Sequence, residues 1–446
     1  MRKIIFSNIL TMFLLVNLFG QSPASNLLLE DNKSLLQEYS QLSETLFKAK
    51  LGNVGTSHKK DYEKIYRSQY ENIQELWEEG RVITHPELHG YVSAIVDKII
   101  KANPALKNEN MRIVLTRDYW PNAYSLGDGS IGINAGLMIH LENEAQLAFI
   151  ICHEIAHFHL KHAEKSATEY VETLNSAAYQ SELKKLSKQT YKVNEQLDKL
   201  ALQFVSGTRR HRRDHEAEAD RLAMQWLRET GYDLQAIKTT LLLLDAIDDS
   251  TRLTSEPVSS QFNFDEYPFR NRWIKKESKI FGGVKLEDES SRAIKDSLKT
   301  HPDCSKRIEL LESEITKSTG GFLFSVDEAA FLRWKTQLWP EIVEYAFKSE
   351  AYSKSLYWSL ALLKQPSFNE YAIFNIARIF NRMYEKQQEH SLGKCIDTES
   401  STWNEAYNEL LRMLSRLKLN EMAQINLHFC RKYKDIVMGY PDFKQE

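Results

Sequence analysis

Four histidines fall within ten positions of the apolar stretch LAFIICHEIAHFHLKHAEK, Leu147 to Lys165. On a helical wheel at about 100° per residue, with His153 at zero, His157 falls at about 40° and Glu154 at about 100°. His159 and His162 fall at about 240° and 180°, so only His153 and His157 share a face. Imidazoles at i and i+4 on adjacent turns can reach one metal ion, and the glutamate after the first is offset enough to hold a water there rather than bind the ion. The alternative is a core helix whose polar residues happen to fit. A third ligand from elsewhere separates the two, because catalytic zinc usually takes three protein ligands and leaves one position open for water.

Such a ligand is offered by RRDHEAEADRLAMQWL, Arg212 to Leu227, where Glu216 and Asp220 stand at i and i+4 on one helical face. Ala217, Ala219 and Ala223 around them allow close approach to the first helix. Glu216 would then complete the metal site while Asp220 accepts a hydrogen bond from a ligand imidazole. Read without the upstream histidines, the same pair is a solvated acidic face.

HExxH followed by E-x-x-A-D resembles metallopeptidase family 48, a gluzincin family, and further segments extend the likeness. NAYSLGDGSIGINAGLM, Asn122 to Met138, is similar to the family's Asn-Ala segment and the glycine-containing edge strand before the zinc helix. ENEAQLAFIICHEIAH follows the family's run into HExxH, Arg213 stands where an arginine is common, and TGYD, Thr230 to Asp233, and THPDCSKRIELL, Thr300 to Leu311, resemble two later motifs. The likeness covers roughly residues 60 to 312. It implies one zinc ion per chain held by His153, His157 and Glu216, with Glu154 as general base and Asp220 behind the ligands. The strand carrying Gly129, Ile131, Ile133 and Gly136 would be the edge along which an extended peptide substrate adds as another strand.

Thr-His-Pro occurs twice, at Thr84 to Pro86 and Thr300 to Pro302, and both copies suit helix N-termini with threonine as cap and proline in the first turn. Only the second lies in family-like context, where in some members a histidine occupies the open zinc position. His301 is therefore expected to be a reversible fourth ligand and His85 to be structural.

These elements sit within a longer chain of 446 residues, enough for two or three domains. MRKIIFSNILTMFLLVNLFGQSPASN opens with a basic start and an apolar run ending in small residues, which reads as a signal peptide over 1–24. The run is short and interrupted for a membrane span, which needs about 20 apolar residues, and no other segment is long enough. Export to the periplasm or outside the cell follows, with no integral membrane span after cleavage. Loss of Arg2 and Lys3 would take the net charge from −3 to −5, which gives no general affinity for nucleic acid. RRHRR, Arg209 to Arg213, is read as a solvated loop, with substrate or partner orientation as the alternative. Four cysteines cannot make a disulfide framework for this length, though Cys395 and Cys430 could pair in an oxidising compartment.

The fold class expected is mainly α (α+β), a zincin-like helical domain with a small β-sheet followed by an α-helical, repeat-like domain. Residues 25–76 read as one or two leading helices. Residues 77–318 would form the metallopeptidase domain, with MRIVLTRD and SIGINAGLM as strands. Residues 166–207 are a polar helical insertion, read as a projecting hairpin. Within 319–446, Glu350 to Glu385 has the helix, turn and helix rhythm of a tetratricopeptide unit, with Ala361, Pro366 and Ala377 at its small and proline positions.

The function expected is a zinc metalloendopeptidase cleaving unfolded or misassembled polypeptides in cell-envelope quality control, with a protein partner at the C-terminal helices. The alternative is a latent or degenerate peptidase acting as a chaperone or assembly factor through those helices.

Overall fold

Asn32 starts the first helix by accepting hydrogen bonds from the backbone of Ser34 and Leu35 at 3.1 and 3.2 Å, which satisfies donors that a helix N-terminus leaves open. The helix, α1, runs Lys33–Gly52 and is followed by α2, Lys59–Glu78. The two pack side by side, with Phe47 stacked on Tyr70 at 4.3 Å and Tyr39 edge-on to Trp77. The computed structural model describes residues 27–55, 57–109, 111–187, 213–247, 257–276, 304–318, 320–400 and 403–437. The expected signal peptide lies outside them. Among the described residues no helix is long and apolar enough to cross a membrane.

The described chain divides into two units, one of residues 29–247 and 304–342, the other of 27–28, 257–276 and 343–437. In the first, β1 (Val82–Ile83) leads into α3 (Pro86–Ala102), β2 (Arg112–Thr116), β3 (Ala123–Ser125) and β4 (Ser130–Asn134). Pro86 takes the first turn of α3 as expected, but Thr84 does not cap it, the cap position being His85 without a side-chain bond. The Thr84 hydroxyl bonds Asp31 and the Asn32 carbonyl instead, and its amide donates to Asp31 at 2.7 Å.

The sheet order is β1-β2-β4-β3, with β2 and β4 parallel and both outer strands antiparallel to their neighbours. This corrects the assignment of the substrate edge. The strand with Ile131 and Ile133 is interior, paired on both sides and buried, while Gly129 precedes it at φ +88° and Gly136 lies in the helical turn Ala135–Met138. The edge on that side of the sheet is β3. Gly132 makes that edge possible, because a Cβ there would lie 2.4 Å from the Tyr124 ring that crosses it.

The same unit continues with α4 (Glu144–His159), α5 (His162–Asn175), α6 (Ala177–Leu186) and α7 over 213–229. Beyond them come α8 (Gln235–Ile247) and α9 (Cys304–Ile315), which pack together, and α10 (Glu328–Lys348), whose residues belong to both units. Glu144, fully buried at the first position of α4, accepts from the hydroxyls of Tyr91 and Tyr232 and from the backbone of Ser325, Val326 and Asp327. A buried carboxylate is tolerated only with such partners, and here it fixes the start of the central helix. The insertion begins helically as expected, but Ala167 and Val171 of α5 are buried, so this part is packed. Its residues 188–207 lie outside the described residues, as do 209–212 of the basic run.

The second unit holds α11 (Tyr352–Leu362) and α12 (Asn369–Gln388), joined by a turn containing Pro366, then α13 (Glu405–Arg416) and α14 (Leu419–Lys432). Asn375 of α12 donates to the hydroxyls of Ser355 and Ser359 on α11 at 3.0 and 2.8 Å, locking that pair. The next pair starts at Glu405, a longer step than the 34 residues of a tetratricopeptide period. Cys395 and Cys430 are not bridged; their thiols face Glu350 and Asn426, each at 3.7 Å.

Candidate active site and metal centre

Asn143 caps α4 by accepting from the Gln146 amide at 3.0 Å, and from Glu144 to Ala156 every residue of the helix is buried. A helix buried all round can carry polar groups only where each has a specific partner. His153 and His157 meet that condition by facing each other. Their Nε2 atoms lie 3.0 Å apart, 3.5 and 3.3 Å respectively from the Glu216 carboxylate. All three residues offer ligand atoms within 4.8 Å of one another. Nitrogen and oxygen donors bound tetrahedrally to zinc at about 2.0–2.1 Å would stand about 3.3 Å apart, so the observed spacing fits that ion. The donor chemistry fits as well. With neutral imidazoles, Glu216 and Asp220 bring two buried negative charges against the single positive charge of Arg307.

The helix α7 supplies Glu216 and Asp220 from one face, and Ala219 and Ala223, both fully buried, let it lie close. The Asp220 carboxylate stands 2.9 Å from Nδ1 of His153. It also accepts from Arg307 of α9 through Nε and Nη2, at 2.6 and 2.7 Å, while Nη1 of the same guanidinium lies 3.0 Å from Glu216. Burial pushes the Asp220 carboxyl up, but the Arg307 charge and its hydrogen bonds outweigh this and hold it down at about 2. Burial likewise opposes charge on His153, yet the bonds to Asp220 and Glu216 prevail and raise the metal-free imidazole to about 9.

His162, excluded by the helical wheel, is part of the centre. The α4 helix stops at His159, and Lys161 takes the left-handed conformation at φ +56°, so the wheel does not continue through it. His162 opens α5 and turns back, its Nδ1 lying 2.9 Å from Nδ1 of His157. Its Nε2 lies 3.2 Å from Glu218, and its ring stacks on His215 at 4.1 Å. Burial, with His157 beside it, pushes the His162 imidazole down to about 4. Neutral His162 can therefore accept the Nδ1–H of His157 and pass its own Nε2–H to Glu218, which fixes the tautomer that turns His157 Nε2 to the metal position. His159 takes no part, since its Nδ1 bonds Glu109 at 2.9 Å.

A cleft of about 270 Å³ opens over these groups, and Glu154, His157 and Glu216 reach it together with Asn122, Ala123 and Tyr124. Glu154 is 3% exposed, close beside the ligands yet outside the set of three. The edge strand β3 thus borders the same cleft as the expected base. Of the residues read from the sequence, His153, Glu154, His157, Glu216 and Asp220 come together here, while His301 lies outside the described residues. Arg307 and His162 were not assigned a role. Arg307 stood within the quoted KRI run, but nothing in spacing ties it to a helix so far away in sequence.

Comparisons with known proteins agree with this geometry. The chain is 25% identical over 199 residues to the putative beta-barrel assembly-enhancing protease of Vibrio cholerae, covering 44% of this chain and 40% of that protein. It is 25% identical over 193 residues to the beta-barrel assembly-enhancing protease of Escherichia coli K12, covering 42% and 38%. The Yersinia pestis protein of that name is 23% identical over 198 residues, covering 42% and 38%. The chain thus spans about two fifths of the length of these relatives. The sequence model of Peptidase family M48 matches residues 86–315, which hold α3, the sheet from β2 onward, the helices that carry His153, His157 and Glu216, and Arg307, and the chain belongs to that family.

Proposed function

We propose that the protein is a zinc-dependent endopeptidase cleaving extended segments of unfolded or misassembled polypeptides in the cell envelope. The observation that carries this reading is the meeting of His153, His157 and Glu216, two of which line, with Glu154, a cleft bordered by β3. Zinc, when bound there, would supply Lewis acidity towards a peptide carbonyl and make a water at its open position more acidic. His153, His157 and Glu216 would hold it. Glu154 takes the proton from the attacking water and returns it to the leaving amine, acting as general base and then general acid on one side chain. A peptide added along β3, Ala123–Ser125, would be aligned by main-chain hydrogen bonds, which places few demands on side chains. The envelope and quality-control parts rest on the expected signal peptide and on the names of the relatives. A partner at the C-terminal helices, whose rhythm is repeat-like, belongs to the same proposal. The experiment is to measure zinc content and casein cleavage of the purified protein before and after chelation. One zinc per chain with activity lost on chelation and restored by zinc supports the reading; full activity in zinc-free protein refutes it.

A further inference from the structure

A second cavity, of about 240 Å³, lies beside the cleft and is lined by Leu46 and Phe47 of α1, Tyr66 and Tyr70 of α2, Leu126 and Phe158. Gly127 and Phe158 line both spaces, so the two adjoin. The edge strand β3 ends at Ser125, and the chain passes directly into Leu126 and Gly127 at the mouth of the cavity. Gly127, at φ +77°, makes the turn that brings the strand end there. A peptide laid along β3 would carry one of its side chains to this opening.

The lining selects what enters. Its walls are aromatic and aliphatic, and the charged groups at its margin are already engaged. Lys50 lies 3.6 Å from Glu164 and 4.5 Å over the Tyr66 ring, while Asp128 takes Arg112 at 3.0 Å and the Ser43 hydroxyl at 3.4 Å. A charged side chain would lose its hydration there without gaining a new partner. The volume lies below the roughly 300–1,000 Å³ of small-molecule sites, which suits one side chain rather than a cofactor. Moreover, α1 and α2 precede the family-matched residues 86–315, so the wall is supplied by a segment outside the shared domain.

We propose that this cavity is a specificity pocket for one large apolar or aromatic side chain of the peptide substrate, with the Phe47–Tyr70 stack as its wall. The proposal rests on the peptidase reading for its substrate but can fail separately from it. The test uses quenched-fluorescence peptides that are identical except for Phe or Ala at successive positions around the cleaved bond, with wild type, Phe47→Ala and Leu46→Trp. In wild type, Phe at one position should raise kcat/KM about tenfold over Ala, an effect of the size that apolar pockets give. Phe47→Ala, which widens the pocket, should bring that ratio towards one, and Leu46→Trp, which fills it, should reverse the ratio in favour of Ala. Loss of folding would lower both peptides alike, so the ratio separates the two causes. A ratio near one in wild type, or one unchanged in both variants, overturns the pocket. If wild type cleaves no peptide, binding of the same labelled peptides decides. A Phe preference abolished by Leu46→Trp would keep the pocket and discard the peptidase, whereas equal binding of both peptides would discard the pocket.

Discussion

His162 Nδ1 lies 2.9 Å from His157 Nδ1, across the break where the zinc-type helix ends. The contact orients the His157 imidazole from behind, as Asp220 orients His153, although here the orienting group is a neutral ring backed by Glu218. His162→Phe should keep the ring volume and lose the acceptor. Losses of this kind typically cost about 10- to 100-fold in metal affinity. Competition with a chromophoric chelator should show zinc bound more weakly by that factor with the fold intact by circular dichroism. Unchanged affinity would make the contact incidental.

Arg307 braces Asp220 and Glu216 of α7 and is itself almost fully buried. Arg307→Met would leave Asp220 and Glu216 with the His153 imidazolium alone between them, and breaking a buried pair in this way costs about 3–5 kcal/mol. Urea unfolding of the metal-free protein should register that loss, and added zinc should recover part of it. Equal stability of variant and wild type without metal would show that the guanidinium does not hold the two charges.

Zinc affinity should depend on pH through His153. In the metal-free protein its pKa is raised from 6.5 to about 9, so a proton must leave before the imidazole can bind. Affinity should therefore fall by about tenfold per pH unit as pH drops below about 9. The sign for stability is opposite. The raised pKa stabilises the metal-free fold fully below about 6.5, and that contribution is lost as pH rises through about 9. For Asp220, held near 2 against an ordinary 3.8, the contribution is present above about 3.8 and is lost as pH falls through about 2. Calorimetric zinc titrations at pH 7.5 in buffers of different ionisation enthalpy should show about one proton released by His153. No release would contradict the charged metal-free state.

His301 precedes Arg307 by six residues, and we propose that it reversibly fills the open zinc position. His301→Ala should then raise casein hydrolysis and self-cleavage at equal zinc loading, while His85→Ala, in the other Thr-His-Pro copy, should not. Unchanged or lower activity in folded His301→Ala would return this Thr-His-Pro segment to capping or substrate binding.

What was legible in the sequence was what a single helix can encode. The i, i+4 spacing on α4 and on α7 placed His153, His157, Glu216 and Asp220 on two faces, and small alanines predicted their approach. The wheel misled at His162 because it assumes one unbroken helix, and nothing local announces a left-handed Lys161. The substrate edge was assigned to the more strand-like segment, whose buried isoleucines instead mark an interior strand. The outer strand beside it, β3, has three residues and no alternation to read. Arg307 was hidden for a different reason, since its partners come from another helix and no local pattern encodes a contact between distant segments. Thr84 shows the same limit on a smaller scale, its hydroxyl drawn away from the helix start by Asp31.

The central claim is that Glu154 moves the proton while three other residues hold the metal. Zinc content and casein cleavage of Glu154→Gln, measured beside wild type, test it most directly. The account predicts one zinc per chain in both, with turnover of the variant lower by several orders of magnitude. A variant that keeps near wild-type cleavage with zinc bound would contradict the role of Glu154, and one that loses its zinc would contradict the division between base and ligands.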